Sequence, residues 1–235
     1  MMPPKFKQGR IGSHLLVGSL LAATAAVNWY QQRFPDILIT KLLPIHELTL
    51  AQRYNIQQAS TRLNGTIIAP HEQFSFNKAV GPRTSARGYL PAPSYIGRAT
   101  EFTTGGGICV LSSMVYQIAL ESGMQIDKRT PHLRTTLTSY PGLDATVWYG
   151  KSDLVFTNTT NSPLEIRALT DANSVKIQLA GHRPDVPVCL VQRREIAAGN
   201  DVICVDITRT IGTRSELVSH DTYRLSHHQT SSVEN

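Results

Sequence analysis

The sequence predicts an α+β fold: a single domain with a few helices and a largely antiparallel sheet, behind an N-terminal signal or anchor segment. Three observations predict it. Helical periodicity is confined to the first half of the chain, while short alternating runs fill the second. Apolar residues make up 41% and charged residues 17% of the 235, enough for one real core and too apolar for a disordered chain. Ahead of both halves lies a basic cluster followed by an uncharged apolar run.

Lys5, Lys7 and Arg10 precede residues 11–27, which contain no Asp, Glu, Lys or Arg. Basic residues before an apolar stretch are the pattern of an export signal, and Ala23-Thr24-Ala25 offers a small-x-small cleavage site. An uncleaved anchor is the competing reading, because the run is only slightly short of the roughly 20 residues a spanning helix requires. Residues 1–30 are therefore assigned as signal peptide or membrane anchor. The remainder is expected outside the cytoplasm, secreted into the cell envelope or tethered to the cytoplasmic membrane.

Residues 31–50 read as a connector, with Pro44 interrupting any long helix. The domain is expected over 51–225. Its first helix spans 51–63, with Ile56, Ala59 and Leu63 on one face and Asn64-Gly65 as its end. Thr66-Ile67-Ile68 is a short strand. Residues 70–98 are rich in Gly and Pro and dotted with aromatics (Phe74, Phe76, Tyr89, Tyr95), which suggests short strands and ordered loops. Leu111, Met114, Val115, Ile118 and Ala119 recur at helical spacing, and Gly123 supplies a stop. Residues 125–129, 145–149 and 153–158 read as strands, with a turn at Tyr140-Pro141-Gly142. Residues 164–168 and 175–179 form a hairpin across 171–174, and the tail 226–235 is expected to be disordered.

Cys109 stands directly behind the turn Gly105-Gly106-Gly107-Ile108 and at the head of the second helix. Unpaired N–H groups and the positive end of the helix dipole favour thiolate over thiol there. The same N–H groups suit an oxyanion. A buried cysteine packed as a small apolar residue is the alternative. The other two thiols, Cys189 and Cys204, fall on alternating runs at 185–192 and 201–210 with a turn at 197–200. A hairpin would set them close to opposite, and an oxidising compartment would favour a disulfide; two separate buried thiols are the other outcome.

The net charge of +6 is not gathered into a Lys/Arg block interleaved with aromatics, so nucleic acid is not an expected partner. The histidines are scattered and no Cys/His spacing matches a zinc pattern, so neither metal nor other cofactor is expected.

Several short motifs occur in a fixed order. They are Asn64-Gly65-Thr66, Phe74-Ser75-Phe76-Asn77, Val80-Gly81-Pro82-Arg83-Thr84, Gly88-Tyr89 and the glycine–cysteine turn. Pro131-His132, Pro141-Gly142-Leu143-Asp144-Ala145-Thr146-Val147 and Asp153-Leu154-Val155-Phe156-Thr157-Asn158 follow. Together they resemble the VanW family, named after an accessory protein of vancomycin-resistance gene clusters. The resemblance runs over about 51–167, with a weaker echo in Asp221-Thr222-Tyr223-Arg224. It implies a cell-envelope protein acting on peptidoglycan stem peptides. Some members act as L,D-transpeptidases through the cysteine that Cys109 matches. The chain departs from the family pattern at Val110-Leu111, where Gln then Val is usual, and at Thr130, where the family has His.

By that resemblance Cys109 is the nucleophile, and the needs of acyl transfer make His132 the candidate base and Asp144 the candidate group that fixes the imidazole tautomer. Gly105, Gly106 and Gly107 supply the oxyanion turn, with the N–H groups of Gly107 to Cys109 as the donors, while Arg83, Tyr89 and Ser112 contact substrate. Each has a plainer reading. His132 caps the loop after Pro131, Asp144 bonds its own turn, Arg83 pairs with a surface acid and Ser112 bonds within the first helical turn. The leading expectation is an exported cysteine acyltransferase, an L,D-transpeptidase. The alternative is a non-catalytic wall-binding or accessory protein linked to glycopeptide resistance.

Overall fold

The computed structural model describes residues 23–96, 99–183, 189–199 and 201–226. The basic cluster and most of the apolar run expected as signal or anchor lie outside these residues, as do Asn200 and the tail from His227. Residues 23–33 are helical (α1), and Tyr30 donates its hydroxyl to Glu165 Oε2 at 2.5 Å. Among the described residues no helix is long and apolar enough to cross a membrane.

The expected connector is in fact part of the fold. Asp36–Pro44 form β1, which pairs antiparallel with β9 (Ser174–Gly181). Pro44 stands at the last position of the strand, where its missing N–H disturbs the ladder least. β1 is one edge of a four-stranded sheet ordered β1-β9-β8-β2, with β8 at Leu164–Thr170 and β2 at Thr66–Ile68. The β8–β9 hairpin turns where expected, and Asp171 Oδ1 accepts the Asn173 and Ser174 N–H groups at 2.8 and 2.7 Å.

Two helices pack near this sheet. Helix α2 (Leu50–Leu63) begins with a reciprocal capping box between Thr49 and Gln52. It buries Asn55, Ile56, Ala59, Ser60 and Leu63. Helix α4 (Cys109–Glu121) is covered on nearly every side, so Ser112 and Ser113 are buried along with Leu111, Val115, Ile118 and Ala119. The short helix α3 (Phe76–Val80) lies between them in sequence, and Gly123 at φ +77 follows α4 as expected.

The remaining strands frame the site. β3 (Gln73–Ser75), β7 (Val155–Thr157) and β6 (Gln125–Lys128) form a three-stranded sheet, and β4 (Pro91–Ile96) pairs with β5 (Ala99–Thr104). Residues 145–149 are not a ladder strand. Their backbone is engaged instead by neighbours: the Ala145 N–H bonds Ser113 Oγ, the Ala145 carbonyl accepts Ser112 Oγ and the Thr146 N–H bonds the Thr130 carbonyl.

β10 (Cys189–Ala198), β11 (Val202–Ile211) and β12 (Arg214–Arg224) form a three-stranded antiparallel sheet. The expected hairpin is present, but its register separates the cysteines. Cys189 faces Ile211 and Cys204 faces Ala197. Since Ile211 and Cys204 are seven residues apart on one strand, the thiols stand roughly 23 Å apart along the ladder. A disulfide needs Cα atoms within about 7 Å, so Cys189 and Cys204 are separate free thiols. Turn position alone did not reveal the register: the closing turn lies beside Gly199, and the strands run a full ten residues from it.

Candidate active site

The glycine turn is built to lie against β4. A Cβ on Gly106 would stand 2.2 Å from the Ala92 carbonyl oxygen, so no other residue fits there. Asn55 on α2, fully buried, clamps the turn through its side-chain amide, which donates to Leu90 O at 2.9 Å and Gly106 O at 3.0 Å. Its Oδ1 accepts the Leu90 N–H at 2.8 Å. These bonds deliver Cys109 to the first position of α4.

The glycines divide by role. Gly105 and Gly106 donate their N–H groups to Leu90 O and Thr103 O, each at 3.0 Å, so these two shape the turn and are not oxyanion donors. The N–H groups of Gly107, Ile108 and Cys109 have no acceptor among the described residues and sit at the positive end of α4. An anion reaching Cys109 meets donors that have nothing else to bond.

Cys109, His132 and Asp144, far apart in sequence, come together. His132 and Cys109 line the same cavity, close enough for each to favour the charged form of the other. His132 Nδ1 lies 2.5 Å from Asp144 Oδ2, which also accepts the His132 backbone N–H at 2.7 Å. That double contact fixes the ring and leaves its second nitrogen for sulfur. Sγ itself lies 3.8 Å from the Val147 carbonyl.

Asp144 is held from behind by residues the sequence did not single out. Its Oδ1 accepts Arg129 Nη2 at 2.8 Å and the Tyr223 hydroxyl at 2.6 Å. Arg129 also donates through Nε to the Asp144 carbonyl at 2.7 Å and through Nη1 to Asp221 Oδ2 at 2.5 Å. Asp221 and Tyr223 come from β12, whose backbone at Arg224 exchanges hydrogen bonds with Leu133 and Thr135 of the histidine loop. The only sequence signal for them is the terminal Asp221-Thr222-Tyr223-Arg224 echo.

Burial by itself pushes the Cys109 thiol up. The hydrogen bond and charge of His132 and the nearby Arg83 outweigh it, leaving the thiol below its ordinary value. Burial would lower His132, but the Asp144 carboxylate and the sulfur push it up to about 9. Asp144 is pushed up by burial and brought below the usual carboxylate range by His132 and Arg129. The three shifts all favour the thiolate, imidazolium and carboxylate forms over the neutral ones.

The thiol opens on a cavity of about 780 Å³, a size ordinary for a ligand site. Arg83, Thr84, Gly107, Cys109, Val110, His132, Thr146 and Trp148 are among its lining residues. Arg83 Nη1 is engaged by Asn77 Oδ1 at 2.5 Å, whereas its buried Nη2 has no partner, and neither does the buried Thr146 Oγ1. A buried guanidinium nitrogen without an acceptor is costly unless a ligand completes it. Arg83 thus stays a substrate-binding candidate. The other two contacts expected of substrate are corrected. Tyr89 is 1% exposed in the core with Arg62 over its ring, and it is not among the residues that line the cavity. Ser112 is fully buried and bonds Ala145 O at 2.6 Å, tying α4 to the segment that carries Asp144 and Val147.

Comparison with known proteins points one way. A family model described as VanW like protein matches residues 51–180. Uncharacterized protein YoaR of Bacillus subtilis (strain 168) is 36% identical over 129 residues, 55% of this chain and 43% of that protein. Vancomycin B-type resistance protein VanW of Enterococcus faecalis (strain ATCC 700802 / V583) is 26% identical over 127 residues, 52% of this chain and 46% of that protein. The chain thus aligns with less than half the length of either relative. No solved structure matches it. With Cys109, Asp144 and most of the cavity inside the matched stretch, the chain belongs to the VanW family.

Proposed function

We propose that this protein is a cysteine acyltransferase of the cell envelope, an L,D-transpeptidase acting on peptidoglycan stem peptides. The observation that carries the reading is the alignment of Cys109, His132 and Asp144 on a cavity that also holds unpartnered N–H groups and Arg83 Nη2. The Cys109 thiolate attacks the carbonyl carbon of the third stem residue. The oxyanion forms against the N–H groups of Gly107, Ile108 and Cys109, where donors are already aimed. His132 gives its proton to the amine of the terminal D-Ala, the C–N bond breaks and a thioester remains. An amine from a second stem then attacks the thioester and returns the electron pair to sulfur. Arg83 Nη2 takes the carboxylate of the departing residue.

Export belongs to the same proposal, and its support is the basic cluster and apolar run of residues 1–27. The name of the Enterococcus faecalis relative, a vancomycin resistance protein, accords with a cell-wall setting. Val110 and Leu111, which replace the family's usual pair, favour a second reading: a non-catalytic wall-binding accessory protein. Product chromatography of the protein with a disaccharide-tetrapeptide separates the two. Transpeptidation yields cross-linked dimers that vanish in Cys109→Ala, whereas unchanged muropeptide from both proteins leaves the accessory role.

A further inference from the structure

The cavity is lined by a negative charge as well as positive ones. Among the described residues that line it, Glu47 is the one carboxylate; Arg83 and His132, both near Cys109, line the same cavity. Glu47 is exposed, and no described cation pairs with it. The backbone that carries it is held, because the turn between β1 and α2 is tied down on both sides. Ile45 is fully buried and donates its N–H to Asn173 O at 2.8 Å. The Leu48 N–H bonds Ile45 O at 3.1 Å, and the Leu48 carbonyl accepts Arg53 Nε at 3.1 Å. Gln52, one turn into α2, reaches across to Pro93 O at 3.0 Å on the cavity wall. Glu47 precedes the 51–180 stretch matched by the family model.

We infer that Glu47 anchors the acceptor: it receives the ammonium group of the amine that resolves the thioester, which makes the cavity a two-substrate site. The inference rests on the acyltransferase reading above and adds to it. A hydrolase needs only water for its second step and gains nothing from an anion in the cavity lining. A transferase must gather a cationic amine beside a site already holding Arg83, and an opposite charge in the same lining raises its local concentration. The ammonium releases one proton to solvent as it leaves Glu47. The free amine nitrogen attacks the thioester carbon, the C–N bond forms and the C–S bond breaks with its electrons returning to Cys109. The second nitrogen proton passes to His132, neutral since it protonated the leaving amine, and the starting ion pair is restored.

The test compares the wild-type protein with Glu47→Gln and Glu47→Asp. Intact-mass kinetics read acyl-enzyme formation, and chromatography reads the ratio of amide product to hydrolysed product. Two acceptors are supplied: a second muropeptide with an ammonium side chain, and hydroxylamine, which is neutral at pH 7. Glu47→Gln is expected to leave adduct formation unchanged, to lower the ratio for the ammonium acceptor by about fivefold, and to leave it unchanged for hydroxylamine. Glu47→Asp recovers part of the loss. An unchanged ratio for the ammonium acceptor overturns the inference, as does an equal fall for both acceptors, which marks a structural effect. Absence of any adduct in the wild type overturns the acyltransferase reading, and the acceptor role with it.

Discussion

Cys109 is under opposing influences, and the balance between them is measurable. Burial disfavours the thiolate, while His132 and Arg83 favour it. Alkylation by iodoacetamide should therefore run at pH 7 faster than for an ordinary thiol. His132→Ala should slow it by about tenfold for each unit the thiol rises. The pH profile has a definite sign. His132 is raised to about 9, so the imidazolium and its stabilising contacts are complete below its ordinary value near 6.5 and are lost as pH rises through about 9. Asp144 is lowered, so its contribution is present above the ordinary carboxylate value and is lost as pH falls through the folded one. Thermal unfolding followed across pH should show the fold weakening at both ends. Of the site, Cys109, His132, Asp144 and Arg83 were legible in the sequence because short local motifs carry them. Tyr89 and Ser112 share those motifs but are buried, and a motif does not reveal which way a side chain points.

Elements position these residues by contacts that are individually simple. Gly106→Ala forces a Cβ onto the Ala92 carbonyl, and equilibrium denaturation should show a loss of about 3 kcal/mol or more. Ser112→Ala strips the Ala145 carbonyl of a buried donor and should cost about 1–3 kcal/mol by the same measurement. Helix α4 was readable because periodicity and a stop glycine agree. β12 was not, because only Asp221 and Tyr223 of Arg214–Arg224 are buried. It is held by its ladder with β11, not by an apolar face of its own, and so leaves little trace in hydropathy. β1 hid behind Pro44 for a similar reason: a terminal proline looks like a break although the ladder tolerates it.

At the scale of the molecule, the first and last strands converge on the site. β1 carries the Glu47 turn to the cavity, and β12 brings Asp221 and Tyr223 behind Asp144. Asp144→Ala should therefore lower stability by about 3–5 kcal/mol as well as remove activity, because it leaves the Arg129 guanidinium, only 6% exposed, short of a partner. The free cysteines give a whole-chain check: the intact mass should be the same with and without reductant, while a loss of two mass units before reduction would restore a disulfide. The most direct test of the account is intact-mass spectrometry of the protein incubated with disaccharide-tetrapeptide, beside Cys109→Ala. The account predicts an adduct on the wild type equal to substrate minus D-Ala and none on the variant. An unmodified wild type with intact substrate, or an adduct that persists in Cys109→Ala, would contradict it.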